Sequence, residues 1–402
     1  MSHQVLLNID KSFSNTRHAS LNILKVNIHI LLINTILFNT TYIIKYMKID
    51  LVDPLMAFFS THNVFIIVIC LLITINPPTS DAAQTYTTET LAVENRSPIM
   101  QLFSLSRAEY FTDHKPASVV WQPKFEIVNY ISVTQKSNDT FFIDGESLIV
   151  SNTFQYQLSD NSQLHFLIPW ISHSGGTADR FIYNFHDVFQ LPQNGRSLEQ
   201  NNRMLWFLSS NNEEVLNFQN NSSGIGDIQL KYIRTLDQAG NLFEGKVQLS
   251  TLLKLPSGSF DKQTGSGNVD FGISAIHTNP AWFKERRFLS EITLSFWYGA
   301  GINYIGRSSG LKLLDRNPFA FTFRSGLAWK LSPTWQLKIQ SDTSSPLFKT
   351  EIRELGWFPL QLTLASSHTI NKRTKIDFTL AEDLRPRSAP DVIFSAGMSL
   401  QL

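Results

Sequence analysis

The sequence is poor in the residues that staple or charge a soluble domain. It holds one cysteine, Cys70, in 402 residues, which excludes a disulfide framework and any cysteine-based metal site. Charged residues make up only 17% of the chain and nearly cancel, Lys+Arg 34 against Asp+Glu 33, so no general affinity for nucleic acid follows. Long apolar runs are scarce. The clearest, residues 65–75 (FIIVICLLITI), falls short of the ~20 apolar residues that a membrane-crossing helix needs. No HExxH or calcium-loop motif occurs, no nucleophile-elbow motif frames Ser174, and GSGN at residues 265–268 lacks the lysine and following helix of a phosphate loop. No cofactor or metal is expected. What is plentiful is aromatic: 12% of the chain, with 30 Phe, a skew toward strand formers.

The apolar run at 65–75 has the length of a signal-peptide core. Behind it NPPTSDAAQ (76–84) offers cleavage after Ala82, with Ser80 and Ala82 at the two small-residue positions. Upstream, Asn27, His29, Asn34 and Asn39 interrupt any span. The expected organisation is a non-native or mis-assigned extension over 1–46, a signal peptide over 47–82, a periplasmic segment or plug over 83–117, and a barrel over 118–402.

From Ser118 onward, segments of about ten residues alternate apolar and polar and are separated by turn chemistry. Twelve are expected, at 118–134, 146–158, 162–172, 227–236, 244–255, 268–277, 289–303, 319–331, 334–342, 357–368, 373–383 and 391–402. In the eighth, Phe319, Phe321, Phe323, Leu327 and Trp329 share one face, and Thr322, Arg324, Gly326 and Lys330 the other. A soluble sandwich alternates too. Loop lengths separate the two: the links 159–161, 237–243, 332–333 and 369–372 are short and 278–288 is intermediate, whereas 135–145, 173–226, 256–267, 304–318 and 344–356 are longer, and only 384–390 is short on that side. Outer-membrane barrels sort their loops in this way. Trp121, Tyr130, Trp170, Trp282, Trp297, Tyr298, Trp329, Trp335 and Trp357 lie mainly near segment ends, where an interfacial girdle is expected. The fold class is therefore all-β: a transmembrane antiparallel up-and-down barrel of about 12 strands, with long extracellular loops and short periplasmic turns, in the outer membrane of a Gram-negative bacterium.

Four stretches carry a resemblance: SPIMQLFSL at 97–105, HSGGTADRFIYNFHDVFQLPQNGR at 173–196, SGIGDIQL near 223 and LPSGSFDKQTGSGNVDFG near 255. On these, residues from about 96 to 402 resemble a family of uncharacterised gammaproteobacterial outer-membrane β-barrel proteins, a domain-of-unknown-function family. The 173–196 block is the specific part. The resemblance implies location and fold and brings no activity.

That block lies in the longest external loop. Thr177 or Asp179 can cap a helix in which Phe181, Ile182, Phe185, Val188 and Phe189 recur at helical spacing. Such a helix can constrict the lumen, cover the mouth or rest at the membrane surface, and His173, Ser174, Gly175, Gly176, Asp179, Phe181, Phe185, His186, Asp187 and Phe189 are its gate candidates. His173, Ser174, His186 and Asp187 hold the residue types of a Ser-His-acid triad. However, adjacent His173 and Ser174, and adjacent His186 and Asp187, cannot converge as a triad requires; the protein is not expected to be an enzyme.

Asp227, Lys231, Lys246, Lys254, Glu291, Arg324, Lys338, Lys375 and Asp377 fall on the polar faces. In lipid each Lys or Arg would cost about 2–4 kcal/mol at midplane, so these are the expected lumen residues. A narrow passive channel for small solutes with a mild anion preference, gated by the 173–226 loop, is the leading functional expectation. A closed structural or surface-interaction barrel is the alternative, and an outer-membrane hydrolase the third. The last segment, DVIFSAGMSLQL, places Phe394, Met398, Leu400 and Leu402 outward as the closing strand and assembly signal. Expected partners are outer-membrane lipid and lipopolysaccharide, the barrel-assembly machinery and small solutes.

Overall fold

The computed structural model describes residues 89–136, 138–189, 202–236, 245–287, 290–385 and 389–402. The expected extension and signal peptide, residues 1–82, lie outside the described residues. In chain order the elements are β1 (Val119–Lys136), β2 (Asp139–Ser159), β3 (Ser162–Ser174), α1 (Asp179–Phe189), β4 (Leu205–Ser210), β5 (Glu213–Phe218), β6 (Ser222–Ile225), β7 (Gln229–Leu236), β8 (Lys246–Lys254), β9 (Asp270–Arg287), β10 (Ser290–Tyr304), β11 (Phe319–Ser332), β12 (Trp335–Ser344), α2 (Arg353–Gly356), β13 (Leu360–Asn371), β14 (Thr374–Asp383) and β15 (Val392–Gln401).

Twelve of these strands, β1 to β3 and β7 to β15, pair antiparallel in a closed ring. The ring closes between its first and last strands: β1 pairs with β15 from Val120↔Gln401 to Asn129↔Val392, and the Leu402 N–H donates to the Val119 carbonyl at 2.9 Å. Closure leaves no unpaired edge, which is the condition for crossing a bilayer with strands.

The two faces meet different surroundings. Along β11, Phe319, Phe321 and Phe323 are exposed, while Ala320, Thr322 and Arg324 between them are buried inside. Phe125, Ile127, Leu148, Phe154, Leu249, Ile273 and Phe378 extend the same apolar band around the outside. Trp170, Tyr298, Trp329 and Trp357 stand exposed on the outer surface as girdle residues do. Tyr130 and Trp297 are corrections: both turn inward, Tyr130 against Trp206 and Trp297 into a buried cluster with Ala108 and Tyr110.

Two links expected as loops are strand. β1 and β2 run on to Lys136 and Asp139, and β9 and β10 to Arg287 and Ser290. Alternation fades where both faces of a ribbon meet water, but ladder hydrogen bonds do not require it, so the hairpins continue beyond the apolar band. Inside the expected 173–226 loop, β4 and β5 form a hairpin on the upper edge of β2, Thr140↔Ser209 to Asp144↔Leu205, and β6 pairs with β3. At four to six residues each, these strands are too short for periodicity to reveal.

Candidate functional site

Residues 89–117 thread the lumen. They rise from the short-turn end, turn near the long-loop end, and descend again to enter β1. The two legs meet where the Thr90 N–H donates to the Tyr110 carbonyl (3.3 Å) and the Tyr110 N–H to Thr90 Oγ1 (3.0 Å). This segment has almost no regular structure yet is largely buried, so its backbone must find partners elsewhere. Amide side chains on the wall supply them. Gln340 accepts from the Leu91 N–H and donates to the Leu91 carbonyl, both at 3.0 Å; Gln248 does the same for Phe111 at 2.9 and 2.8 Å. Each glutamine reproduces one rung of a strand ladder. Farther along, Asn303 accepts from the Ser106 N–H, Thr322 donates to the Ser106 carbonyl at 2.9 Å, and Gln157 accepts from the His114 N–H at 3.0 Å.

Ion pairs of both signs fasten the same segment. Arg96 reaches Glu126 at 2.8 Å, Arg107 reaches Asp342 at 3.6 Å, Glu109 pairs with Lys231 and lies 3.6 Å from Arg324, and Glu89 pairs with Lys375. At the short-turn mouth burial pushes the Glu89 carboxyl up, but the adjacent Lys375 and Lys338 outweigh it and hold the pKa down from 4.5 to about 2. Lys254 forms the densest node. Its fully buried ammonium donates to the Leu102 carbonyl (3.1 Å), Asp227 (2.6 Å) and Ser266 (2.5 Å), and sits 3.1 Å from Asp270. Asp270 in turn accepts from the Ser104 N–H at 3.2 Å, so one lysine ties wall, plug and the β8–β9 loop together.

The apex is apolar and lies at the long-loop end. Ile99, at a positive φ of 70 that L residues rarely adopt, precedes the turn Met100–Leu102. Ile99, Leu102 and Phe103 belong to one buried cluster with Leu347, Phe348, Ile352 and Leu355 from the loops before β13. Phe103 meets Phe348 edge-on at 6.0 Å. Burying such side chains contributes about 1.5–3 kcal/mol each, enough to hold a strained turn costing about 1–3 kcal/mol. Space remains below the apex: a cavity of about 140 Å³ bordered by Glu89, Glu109, Lys231 and Lys375, and one of about 240 Å³ at the short-turn mouth. The two share Glu89, Gln122, Lys375 and Ser399 as lining.

The expected lumen residues Asp227, Lys231, Lys254, Arg324, Lys338, Lys375 and Asp377 all stand on the inner face in these contacts. Lys246 lies at the rim, 3.8 Å from Asp113. The Glu291 side chain lies outside the described residues. Missing from the sequence reading were their partners on the plug, Glu89, Arg96, Arg107 and Glu109, and the glutamines that bind its backbone. The alternating charges of the 89–109 stretch, opposite in sign to the wall, were the available signal.

The described gate candidates divide between the two faces of the wall. Glu146 and Asn129 pair across β1 and β2 on the face shared with Ile127. Glu146 accepts from the N–H groups of Thr177 (3.1 Å) and Ala178 (2.6 Å), and Asn129 donates to Asp179 (3.1 Å). Gly176, at φ 73, wraps against the Glu146 carboxylate, where any Cβ would collide. These contacts fasten α1 to the outer wall, where Phe181 lies 6.1 Å from Phe394 of β15 and Phe181, Tyr183 and Val188 stay exposed. Asp187 is exposed; the side chains of Phe185, His186 and Phe189 lie outside the described residues. Strand alternation also parts His173 from Ser174. His173 points inward, hydrogen-bonded to Ser147 (2.7 Å) and to the Gln263 carbonyl (2.9 Å) beside Trp206. Ser174 shares the outer face with Glu146 and accepts from the Gly176 N–H. On β15, Phe394 and Leu400 face outward opposite Ile127 and Trp121, Met398 shares their face, and Leu402 is exposed at the rim.

Residues 66–402 match the family described as "Protein of unknown function (DUF3187)". A search of curated proteins finds no match. Among solved structures, the COG4313 outer-membrane channel from Pseudomonas putida F1 superposes with a TM-score of 0.48 at 12% identity, covering 72% of this chain and 97% of that one. The transport unit of the autotransporter AIDA-I from Escherichia coli gives 0.40 at 5% identity, covering 73% and 93%. The NanC porin gives 0.36 at 7%, covering 71% and 100%. All are outer-membrane barrels, and the barrel here stands on its own strand ladder.

Proposed function

We propose that this chain, which belongs to the DUF3187 family, works in the outer membrane of a Gram-negative bacterium as a passive channel for small solutes, kept shut by the hairpin of residues 89–117. The observation that carries this reading is the kind of contact that fills the lumen. Wall and plug meet below the apex through exchangeable hydrogen bonds and ion pairs, groups that water or a solute can take over. A permanently structural barrel can fill its interior with apolar side chains instead.

Withdrawal of the plug removes Glu89 and Glu109 from the short-turn half. Lys231, Lys338 and Lys375 then face the lumen there with Asp377, a basic surplus that favours anions. The gate in this reading is the N-terminal hairpin. The 173–226 loop contributes a lid through Trp206 and its neighbours, and α1 rests among outer-leaflet lipid, including lipopolysaccharide.

One observation favours a closed barrel: the plug is also held by the apolar apex cluster and by the fully buried Lys254 node. Conductance in planar bilayers separates the two. The full-length protein should be nearly silent, and the protein lacking residues 89–115 should conduct with a preference for chloride over potassium. Silence from both, with heat-modifiable gel mobility intact, would establish the closed barrel. Hydrolysis has no support in the buried Ser147–His173 pair, which neither lumen cavity touches.

A further inference from the structure

Two of the plug's contacts share one chemistry. Glu109 is held by Lys231 and by Arg324 at 3.6 Å. Glu89 is held by Lys375, and its own carbonyl accepts from Lys338 at 3.0 Å. In both, a carboxylate of the plug sits on wall cations. At each site one cation also has a second partner on the wall: Arg324 lies 2.6 Å from Asp342 and Lys375 lies 3.4 Å from Asp377. A cation already oriented by a second partner is a prepared receptor for an anion.

Access and spacing point the same way. One cavity of about 140 Å³ touches Glu89, Glu109, Lys231 and Lys375 together, with Leu91, Phe111 and Leu167 along its sides. It shares its Glu89 and Lys375 margin with the open short-turn mouth. Thr90 lies opposite Tyr110, so Glu89 and Glu109, each one residue earlier on opposite legs, are offset by roughly 7 Å along the axis. A fastening alone needs no adjoining cavity, no apolar lining and no route to solvent.

We infer that the wall carries two carboxylate-binding sites, that Glu89 and Glu109 occupy them as built-in stand-ins for a solute, and that the solute is a short aliphatic dicarboxylate competing with them. This rests on the channel reading above. The plug is then displaced by the molecule it resembles, and the shut state is relieved by its own substrate.

The test uses the full-length protein in detergent, with glutarate as probe and its neutral diamide, glutaramide, as control, read by titration calorimetry. The Glu89→Gln/Glu109→Gln protein should bind glutarate at least tenfold more tightly than the natural chain, since the internal competitors are neutral. Adding Lys231→Gln and Lys375→Gln should abolish binding, and glutaramide should not bind. Equal affinity with and without the two glutamates, binding that survives loss of both lysines, or equal binding of glutaramide would overturn the proposal. A readout on the unmodified chain guards against misfolded variants: glutarate should raise its opening frequency in a planar bilayer and glutaramide should not, and equal responses would again overturn it. Competitive glutarate binding by a protein that stays silent even without residues 89–115 would sustain the two sites and remove the channel reading. Chloride conduction without glutarate binding would do the reverse.

Discussion

Replacing Lys254 with Met tests the buried node that ties the plug to the wall. The ammonium contacts Asp227, Asp270, Ser266 and the Leu102 carbonyl within 3.1 Å. Breaking a buried charge cluster by removing one member costs about 3–5 kcal/mol. Both aspartates keep backbone donors, Gly258 and Ser266 on Asp227, Gly306 and Ser104 on Asp270, so the lower end applies and the folded protein should lose about 3 kcal/mol. Only part of that loss bears on opening. Among these contacts, the one Lys254 makes directly to the plug is the Leu102 carbonyl, a charged hydrogen bond of about 1.5–3 kcal/mol. At 1.36 kcal/mol per tenfold, Lys254→Met should raise the ratio of open to shut roughly tenfold to hundredfold. Single-channel recording measures that ratio directly, with heat-modifiable mobility as the check on the barrel. An intact barrel with unchanged opening frequency would refute the node's role in holding the plug.

Three further outcomes follow from the same contacts. The folded pKa of Glu89 lies below its ordinary value of 4.5, at about 2. Its pair with Lys375 therefore contributes fully above about pH 4.5 and is lost as the pH falls toward 2; opening frequency should be flat from about pH 8 to 5 and rise below that, and Glu89→Gln should flatten the acid limb. A side chain at Gly299 would meet the Ala108 Cβ at 2.4 Å and the Ala275 carbonyl at 2.5 Å, so Gly299→Val should overpack the descending leg by about 1–3 kcal/mol and raise basal conductance, while Gly397→Ala, with its nearest neighbour at 3.7 Å, should not. Deleting residues 398–402 removes the pairs Trp121↔Leu400 and Val120↔Gln401 that close the ring, and should block appearance of the heat-modifiable form without blocking export.

The barrel was legible because lipid imposes a rule on every wall residue. Phe319, Phe321 and Phe323 must face out, Arg324 cannot, and the period of two follows. The same rule marked the inner charges. It fails beyond the bilayer, where β1, β2, β9 and β10 continue without it and where β4 to β6 are too short to show it. The side on which α1 lies was not legible either, because an amphipathic helix looks alike against a lumen or against lipid; the contacts of Glu146 and Asn129 with residues 177–179 decide it. For the plug the reason is deeper. Its backbone partners are side chains such as Gln340, 249 residues away from Leu91 in sequence, and no local pattern encodes a rung made at that separation.

In the proposed channel the 89–117 hairpin must leave the lumen for opening, and a reversible tether tests this most directly. Ser106 on the descending leg and Ser274 on β9 have hydroxyls 3.1 Å apart, so cysteines at the two positions bring their sulfurs within reach of a disulfide. With Cys70 replaced by Ser, the Ser106→Cys/Ser274→Cys protein should be silent in a planar bilayer when oxidised and should recover its openings when a reductant is added to the same membrane. Equal conductance before and after reduction would contradict the account.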